Sequence, residues 1–432
     1  MKNRKKLYGN SGALSSLLVV GIAALFALGS MGCEDPLDVE NPNDLLEQDL
    51  QNPTAAAAIA SGALRTTSVG VGYCLAPLIT ATDEVTWIGS RDAWRELDFG
   101  NVAFAGNEFT DNAMKFLHEG RWTSDNAVTI LSGFKEKGEL EDDNILARAH
   151  LLAGLTRVYI ADWFDDWTFS DKTEPAPNLG KANMRQVYED AIAHLTAAFN
   201  TATDDGLKAD IISLRARAKH AMAIWDLLNP AGSTPANGFV DAGADDAQQA
   251  LGLMGSNDYR FQLTFGSGQG DNDFSWQVNG RKELTIGAIP VDPISGSEDP
   301  RAAAAVAEFK DSGSRGSTDW APITVTSAAE MHLIIAESLY AQGDTDAARN
   351  HLNVMRTAAG LPEITTEDVG DMIVYERHAN LFIQGRRLND MYRFGIQDPM
   401  WQTTSDAYTQ PGVLLPITDA ELQSNPLIDP NR

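Results

Sequence analysis

Tryptophans and arginines in polar, turn-rich stretches are the side chains of this sequence best suited to holding a ligand. Trp87, Arg91 and Trp94 fall within one loop-like segment, with Gly89 between the tryptophans to let the backbone turn. Trp276 and Trp320 lie in a second irregular region, together with Tyr259, Phe261 and Phe274. Sugar rings expose apolar C–H faces, so indoles that stack and charged groups that bond hydroxyls make a carbohydrate platform. The expected site is Trp87, Arg91 and Trp94 on an exposed rim beside Trp276 or Trp320. For each of these residues the plain alternative is a small anchor inside its own loop. Catalysis of glycoside cleavage would need paired carboxylates, and Asp83/Glu84 and Asp165/Asp166 are the pairs on offer. Adjacent acids are usually turn residues, and 60 acids make chance pairs common, so catalytic residues are read as none.

Other chemistries lack their residues. There is no HExxH, no Walker loop and no G-x-S-x-G elbow. Asp271-Asn272-Asp273 begins like a calcium loop, but Trp276 stands where Gly is needed and Lys282 where Glu is needed. The seven histidines, His118, His150, His194, His220, His332, His351 and His378, are scattered singly along the chain. Two cysteines, Cys33 and Cys74, cannot build a zinc cluster or a disulfide framework. No metal and no cofactor are therefore expected. With 33 basic against 60 acidic residues and a formal charge of −27, the chain would be repelled by a phosphate backbone, which excludes nucleic acid.

These candidates must be positioned by helices. Hydrophobic content of 43% is that of a globular chain with a substantial core. Thr54 can cap an alanine-rich helix running to about Thr66, which Gly70 and Gly72 should break; Thr80–Asn107 reads as a polar connection, and a helix containing Phe116–Leu131 follows. Asn144–Phe164 is apolar nearly all round, which predicts a helix buried between neighbours. Asn183-x-x-Gln186 and Ser327-x-x-Glu330 have capping-box spacing, and helices follow both. Residues 229–322 lack a sustained period and are dense in Gly, Ser, Asn, Asp and Pro, which predicts an irregular insertion. A helix through Tyr340, a Gly343-Asp344 turn and a second helix, Thr345–Thr357, resemble a tetratricopeptide repeat. The predicted fold is mainly α, built on tetratricopeptide-like helix pairs with a loop-rich insertion.

Asp371–Gly395 combines an apolar framework with Glu376, Arg377, Arg386, Arg387, Asp390 and Arg393. Charges inside such a framework should pair, because a lone buried charge is costly. The stretch resembles the C-terminal signature of the SusD/RagB family, roughly ER-x-x-EL-x-x-EG-x-R-x-x-DL-x-RWG. Glu376, Arg377, Leu381, Gly385, Arg387, Asp390, Arg393 and Gly395 match, while Asn380, Gln384 and Phe394 depart from it. Residues 147–167 and the tail from Leu414 to Pro426 resemble other family segments.

The N-terminus agrees with that resemblance. Lys2, Arg4, Lys5 and Lys6 precede an apolar run from Ala13 to Leu28, as in a secretory signal. Ser30-Met31-Gly32-Cys33 resembles a lipoprotein cleavage site, with Ser where Leu is usual and Cys33 as the acylated residue. Glu34-Asp35 resembles a surface-export signal. The expected organisation is a signal peptide at 1–32, an acylated tether at 33–53 and a single α domain at 54–432, with the insertion at about 229–322. The resemblance implies a non-enzymatic lipoprotein anchored in the outer membrane and exposed at the cell surface. It would bind an oligosaccharide nutrient and pass it to a SusC-like TonB-dependent transporter. Other readings are a peptide-capturing member of the family, a surface glycoside hydrolase and a helical-repeat protein scaffold.

Overall fold

A computed structural model of the protein describes residues 49–171 and 174–429. The charged and apolar N-terminal segment, Cys33 and most of the tether lie outside the described residues.

The chain opens with α1 (Ala56–Thr80), β1 (Val85–Trp87), α2 (Asp92–Asp98) and α3 (Glu108–Glu136). α1 runs straight through the two glycines expected to break it, and the reason is contact. A Cβ on Gly70 would lie 2.7 Å from the Phe116 carbonyl oxygen of α3, and one on Gly120 of α3 would lie 3.0 Å from the Thr67 Cα of α1. The two helices thus cross with their backbones nearly touching. Glycine weakens a helix by roughly 0.5–1 kcal/mol against alanine, and here the close crossing requires it. Gly72 does the same for a distant segment: its missing Cβ leaves room for Asn272, 3.1 Å away.

Helix pairs follow, as the periodicity predicts. α4 (Asp143–Trp163) is buried around most of its surface and packs on α3 and on α5 (Arg185–Thr201), which in turn lies against α6 (Asp205–Leu228). The expected cap at Asn183 does not form. Its side-chain amide donates to the Leu179 carbonyl at 2.8 Å, and α5 begins without a side-chain cap. A tight turn at Lys181–Asn183 has already directed the chain into the helix.

The insertion is less irregular than its composition suggests. It contains α7 (Ala244–Met254), β2 (Arg260–Leu263), β3 (Leu284–Ile286) and α8 (Pro300–Lys310), and it ends at β4 (Ile323–Ser327). α8 carries a legible start, because Asp299 accepts from the Arg301 N–H and Pro300 opens the helix. Two short antiparallel ladders fasten the insertion: β3 pairs with β1, setting Leu284 opposite Trp87, and β2 pairs with β4. α9 (Ala328–Ala341) and α10 (Thr345–Ala358) form the expected hairpin, with Ser327 Oγ accepting from the Glu330 N–H at 3.1 Å. α11 (Val369–Asn380) and α12 (Arg387–Phe394) hold the signature, joined by a turn in which Ile383 and Gly385 both have positive φ. Among the described residues no helix is long and apolar enough to cross a membrane.

Candidate ligand-binding site

The signature charges do pair. Arg377 bonds Asp390 at 2.9 Å, and Arg393 bonds both Asp390 and Glu337, with His220 at 3.0 Å from the same Glu337. Glu376 receives Arg301 at 2.5 Å and Arg356 at 2.7 Å, and Arg356 also reaches Asp292 at 2.8 Å. Arg386 bonds Glu330, and Arg387 bonds Asp83. Burial alone would raise Glu337, but Arg393, His220 and Arg377 outweigh it and hold the carboxyl well below its ordinary value. This network ties α6, α9, α11 and α12 together. Its charges are consumed by one another, so it is scaffold.

The network also grips both ends of the insertion. Arg393 donates to the Gly238 carbonyl at 2.9 Å, and Glu337 accepts from the Val240 N–H at 3.0 Å. At the other end, Arg386 and Arg217 both donate to the Val325 carbonyl.

The aromatic candidates separate into two kinds. Trp94 is fully buried, against the expectation of an exposed rim. The supposed loop folds as α2, and Trp94 and Leu97 form its inward stripe. The Trp94 indole stacks on Phe109 with centroids 3.6 Å apart, so it offers no face to a ligand. Trp87 is half-buried in β1, with the Arg95 guanidinium 5.7 Å from its ring centroid. Arg91 spends its guanidinium on Glu108 and on the face of Phe109. Its backbone N–H and that of Ser90 bond the Glu283 carboxylate, at 3.0 and 2.7 Å. Gly89 permits this clamp, since a Cβ there would meet Glu283 Oε2 at 2.0 Å.

Glu283 therefore joins the Trp87–Arg91 segment to the stretch that follows Trp276. The stretch that carries Trp276, Asp273–Gly280, bonds the Glu283 N–H through the Gln277 carbonyl and is a tight helical turn interlocked with residues 318–321. Asn272 donates its amide to the Ala321 carbonyl at 2.8 Å and its N–H to the Asp319 carbonyl at 2.9 Å. Ser275 Oγ donates to the Thr318 carbonyl at 2.6 Å. Trp276 and Trp320 are thus carried on one interlocked unit. Each indole rests on a glycine: Cβ atoms built on Gly280 and Gly316 would lie 2.0 and 2.6 Å from the two rings. Trp276 is 39% exposed. Trp320 is half-buried and donates its Nε1–H to Asp271 at 3.0 Å, which fixes the plane of the ring.

Tyr73 of α1 completes the patch, a residue that motif spacing gave no reason to select. It stacks on Phe116 at 4.0 Å, and its hydroxyl pKa is raised by burial and then by Asp273, Asp271 and Asp319. Burial, with Asp319 adding to it, pushes Asp273 up to about 6, although Gln277 and Arg281 oppose the shift. Tyr73 and Trp320 thus share the acids Asp271, Asp273 and Asp319 where Gly72 lets the insertion touch α1, and Trp276 is carried on the same unit. Flat apolar faces beside hydroxyl-bonding acids are what a sugar ring requires.

Neither adjacent acid pair has catalytic geometry. Asp83 bonds Arg387, and buried Glu84 accepts from the Ile383 N–H at 3.1 Å, steadying the strained turn. Asp165 pairs with Lys181 at 2.6 Å, and Asp166 accepts from Asn178 and from the Gly180 and Trp167 N–H groups. A cavity of about 750 Å³ lies elsewhere, between the insertion, the α9–α10 hairpin and the signature turn, with Tyr259, Arg260, Arg301, His332 and Gln384 in its wall. None of Trp87, Arg91, Trp94, Trp276 or Trp320 lines it.

The histidines, single in sequence, are partly paired in space. His150 and His194 meet across α4 and α5 with their Nδ1 atoms 3.1 Å apart, and His332 and His351 meet across α9 and α10 at 3.0 Å.

Stacked helix hairpins with a long insertion fastened by two short ladders define a mainly helical protein. A sequence model described as the SusD family matches residues 194–412, just over half of the chain, and the chain belongs to that family. Solved structures agree on the fold. A SusD superfamily protein from Bacteroides thetaiotaomicron is 15% identical with a TM-score of 0.63, covering 88% of this chain and 99% of its own. A SusD-like carbohydrate binding protein from Bacteroides vulgatus is 13% identical with a TM-score of 0.59, covering 87% and 97%. A laminarin binding SusD-like protein is 15% identical with a TM-score of 0.56, covering 87% and 98%. No curated protein matches the sequence.

Proposed function

We propose that this protein is a surface lipoprotein of the outer membrane that binds an oligosaccharide nutrient without cleaving it. It would deliver that nutrient to a SusC-like TonB-dependent transporter. The observation that carries the reading is the patch of Tyr73, Trp276 and Trp320 with Asp271, Asp273 and Asp319. Trp87 and Arg91 border it through the Glu283 clamp and are second-line contacts. Family membership and relatives described as carbohydrate or laminarin binding support a glycan over a peptide. The acidic lining favours a neutral glycan over a uronic-acid polymer. Acylation at Cys33 would hold the protein near its transporter at high effective concentration, so modest ligand affinity suffices.

Calorimetric titration with a panel of neutral and acidic oligosaccharides tests the reading. A neutral glycan should bind, binding should fall at least tenfold in the Trp276→Ala/Trp320→Ala double variant, and no shortened products should accumulate. Binding that survives the double variant unchanged overturns the site, and turnover of the glycan overturns the non-enzymatic role. Cys33→Ala should leave unprocessed precursor, and mass spectrometry finding unmodified Cys33 in the wild-type mature protein would reject the anchor.

A further inference from the structure

The His332–His351 pair stands at the large cavity, away from the aromatic patch. His332 is buried in α9 and lines the 750 Å³ space, and His351 approaches it from the antiparallel α10. Their Nδ1 atoms are 3.0 Å apart, with ring centroids separated by 5.2 Å and planes inclined by 48°. Two imidazole nitrogens at this separation are also the spacing of two ligands on one small cation. With metal–nitrogen bonds of about 2.0–2.1 Å they would subtend roughly 95°, close to a tetrahedral or square-planar edge. Met355, one turn beyond His351 on α10, lines the same cavity with its soft thioether.

We propose that His332 and His351 form a two-histidine chelate for a borderline transition-metal cation, Cu2+ above Ni2+ and Zn2+, opening on the cavity. Without metal, one ring donates its Nδ1–H to the Nδ1 lone pair of the other. On binding, that proton moves to Nε2 of the same ring, so both lone pairs become free and no net proton is released. Two positions or more stay open on the ion for water or for a donor atom on a molecule in the cavity. The similar pair on α4 and α5 serves as an internal control. There Lys135 acts on His150, Arg157 and its partner Asp125 act on His194, and neither ring lines the 750 Å³ cavity. At His332 burial and then the neighbouring His351 hold the imidazole low, and at His351 burial does so.

The test uses the whole mature protein, freed of metal and titrated in turn with Cu2+, Ni2+ and Zn2+. Calorimetry and the melting temperature are both followed. The expected result is one saturable site, tightest for Cu2+, with a rise in melting temperature that the metal-free protein lacks. His332→Gln and His351→Gln should each weaken binding at least tenfold, while His150→Gln/His194→Gln should leave it unchanged. Melting of the metal-free variants keeps a folding failure distinguishable from a lost ligand. Absence of saturable binding, or binding that follows the His150–His194 pair, overturns the proposal. A glycan titration in the His332→Gln variant should match the wild type, so failure here leaves the aromatic site standing.

Discussion

Trp94 and Trp276 should respond to truncation in opposite ways, and the structure supplies the magnitudes. Trp94 is fully buried and stacked on Phe109, so Trp94→Ala removes a large side chain and leaves a cavity, at a cost of about 4 kcal/mol. The unit from Gln51 onward spans roughly 380 residues, which at about 2.1 cal/mol/K per residue gives an unfolding entropy near 0.8 kcal/mol/K. The melting temperature should therefore fall by about 5 °C, with glycan affinity reduced less than about threefold. Trp276 is 39% exposed, and Trp276→Ala should lower the melting temperature by no more than about 2 °C. Loss of one stacking contact, on the order of 1–2 kcal/mol, should weaken glycan binding by roughly 5- to 30-fold. Scanning calorimetry and glycan titration on the same two variants decide the matter. Trp94→Ala that abolishes binding at unchanged stability would refute the reasoning, as would Trp276→Ala that melts early and binds normally.

The crossing of α1 and α3 gives a second prediction: Gly70→Ala should destabilise by about 1–3 kcal/mol through overpacking, visible as a lower denaturation midpoint. Gly133→Ala on α3, where a Cβ meets nothing within 4 Å, should be neutral or slightly stabilising. Glu337→Gln strips the partner from Arg393 and Arg377 and should cost about 3–5 kcal/mol at pH 7. Because the folded pKa of Glu337 is depressed, its contribution is complete above the unfolded value of about 4.3 and is lost as pH falls below it. The variant should accordingly show a shallower loss of stability in acid. Asp98 behaves in the reverse sense, since burial pushes it up to about 7. The unfolded chain releases this proton near pH 4 and the folded protein keeps it, so stability drops between about pH 4 and 7. Asp98→Asn should flatten that drop in a series of melting curves.

The helix pairs were legible because their apolar stripes recur at helical spacing and because α4 is greasy on every side. The pairing of the signature charges followed from the cost of leaving them alone in an apolar frame. Their distant partners did not, since nothing local marks Arg301, Arg356 or Asp292 as neighbours of Glu376. Gly70 and Gly72 misled because a glycine that ends a helix and one that admits another backbone look alike in sequence. Trp94 misled because α2 is only two turns long, too short for a periodic pattern to show which side faces inward. Tyr73 was hidden because its neighbours in the patch arrive from positions 271–320. The histidine pairs are likewise a product of helix register, which brings residues 44 and 19 positions apart into contact.

Clamping both ends of the insertion fixes where it leaves and rejoins the helical frame. Gly238 and Val325 are held through main-chain atoms by Arg393, Arg386 and Arg217, and Gly238 must stay glycine, because a Cβ there would lie 2.5 Å from the Arg393 carbonyl oxygen. The sequence between them is only partly free, because Asp292 bonds Arg356, Arg301 bonds Glu376 and β3 pairs with β1. A chimera that crosses over at these two positions must therefore carry Asp292, Arg301 and the β3 register of this chain with it. Variation in the insertion is thus confined to the positions between these ties, and the helical frame and its anchors must change together.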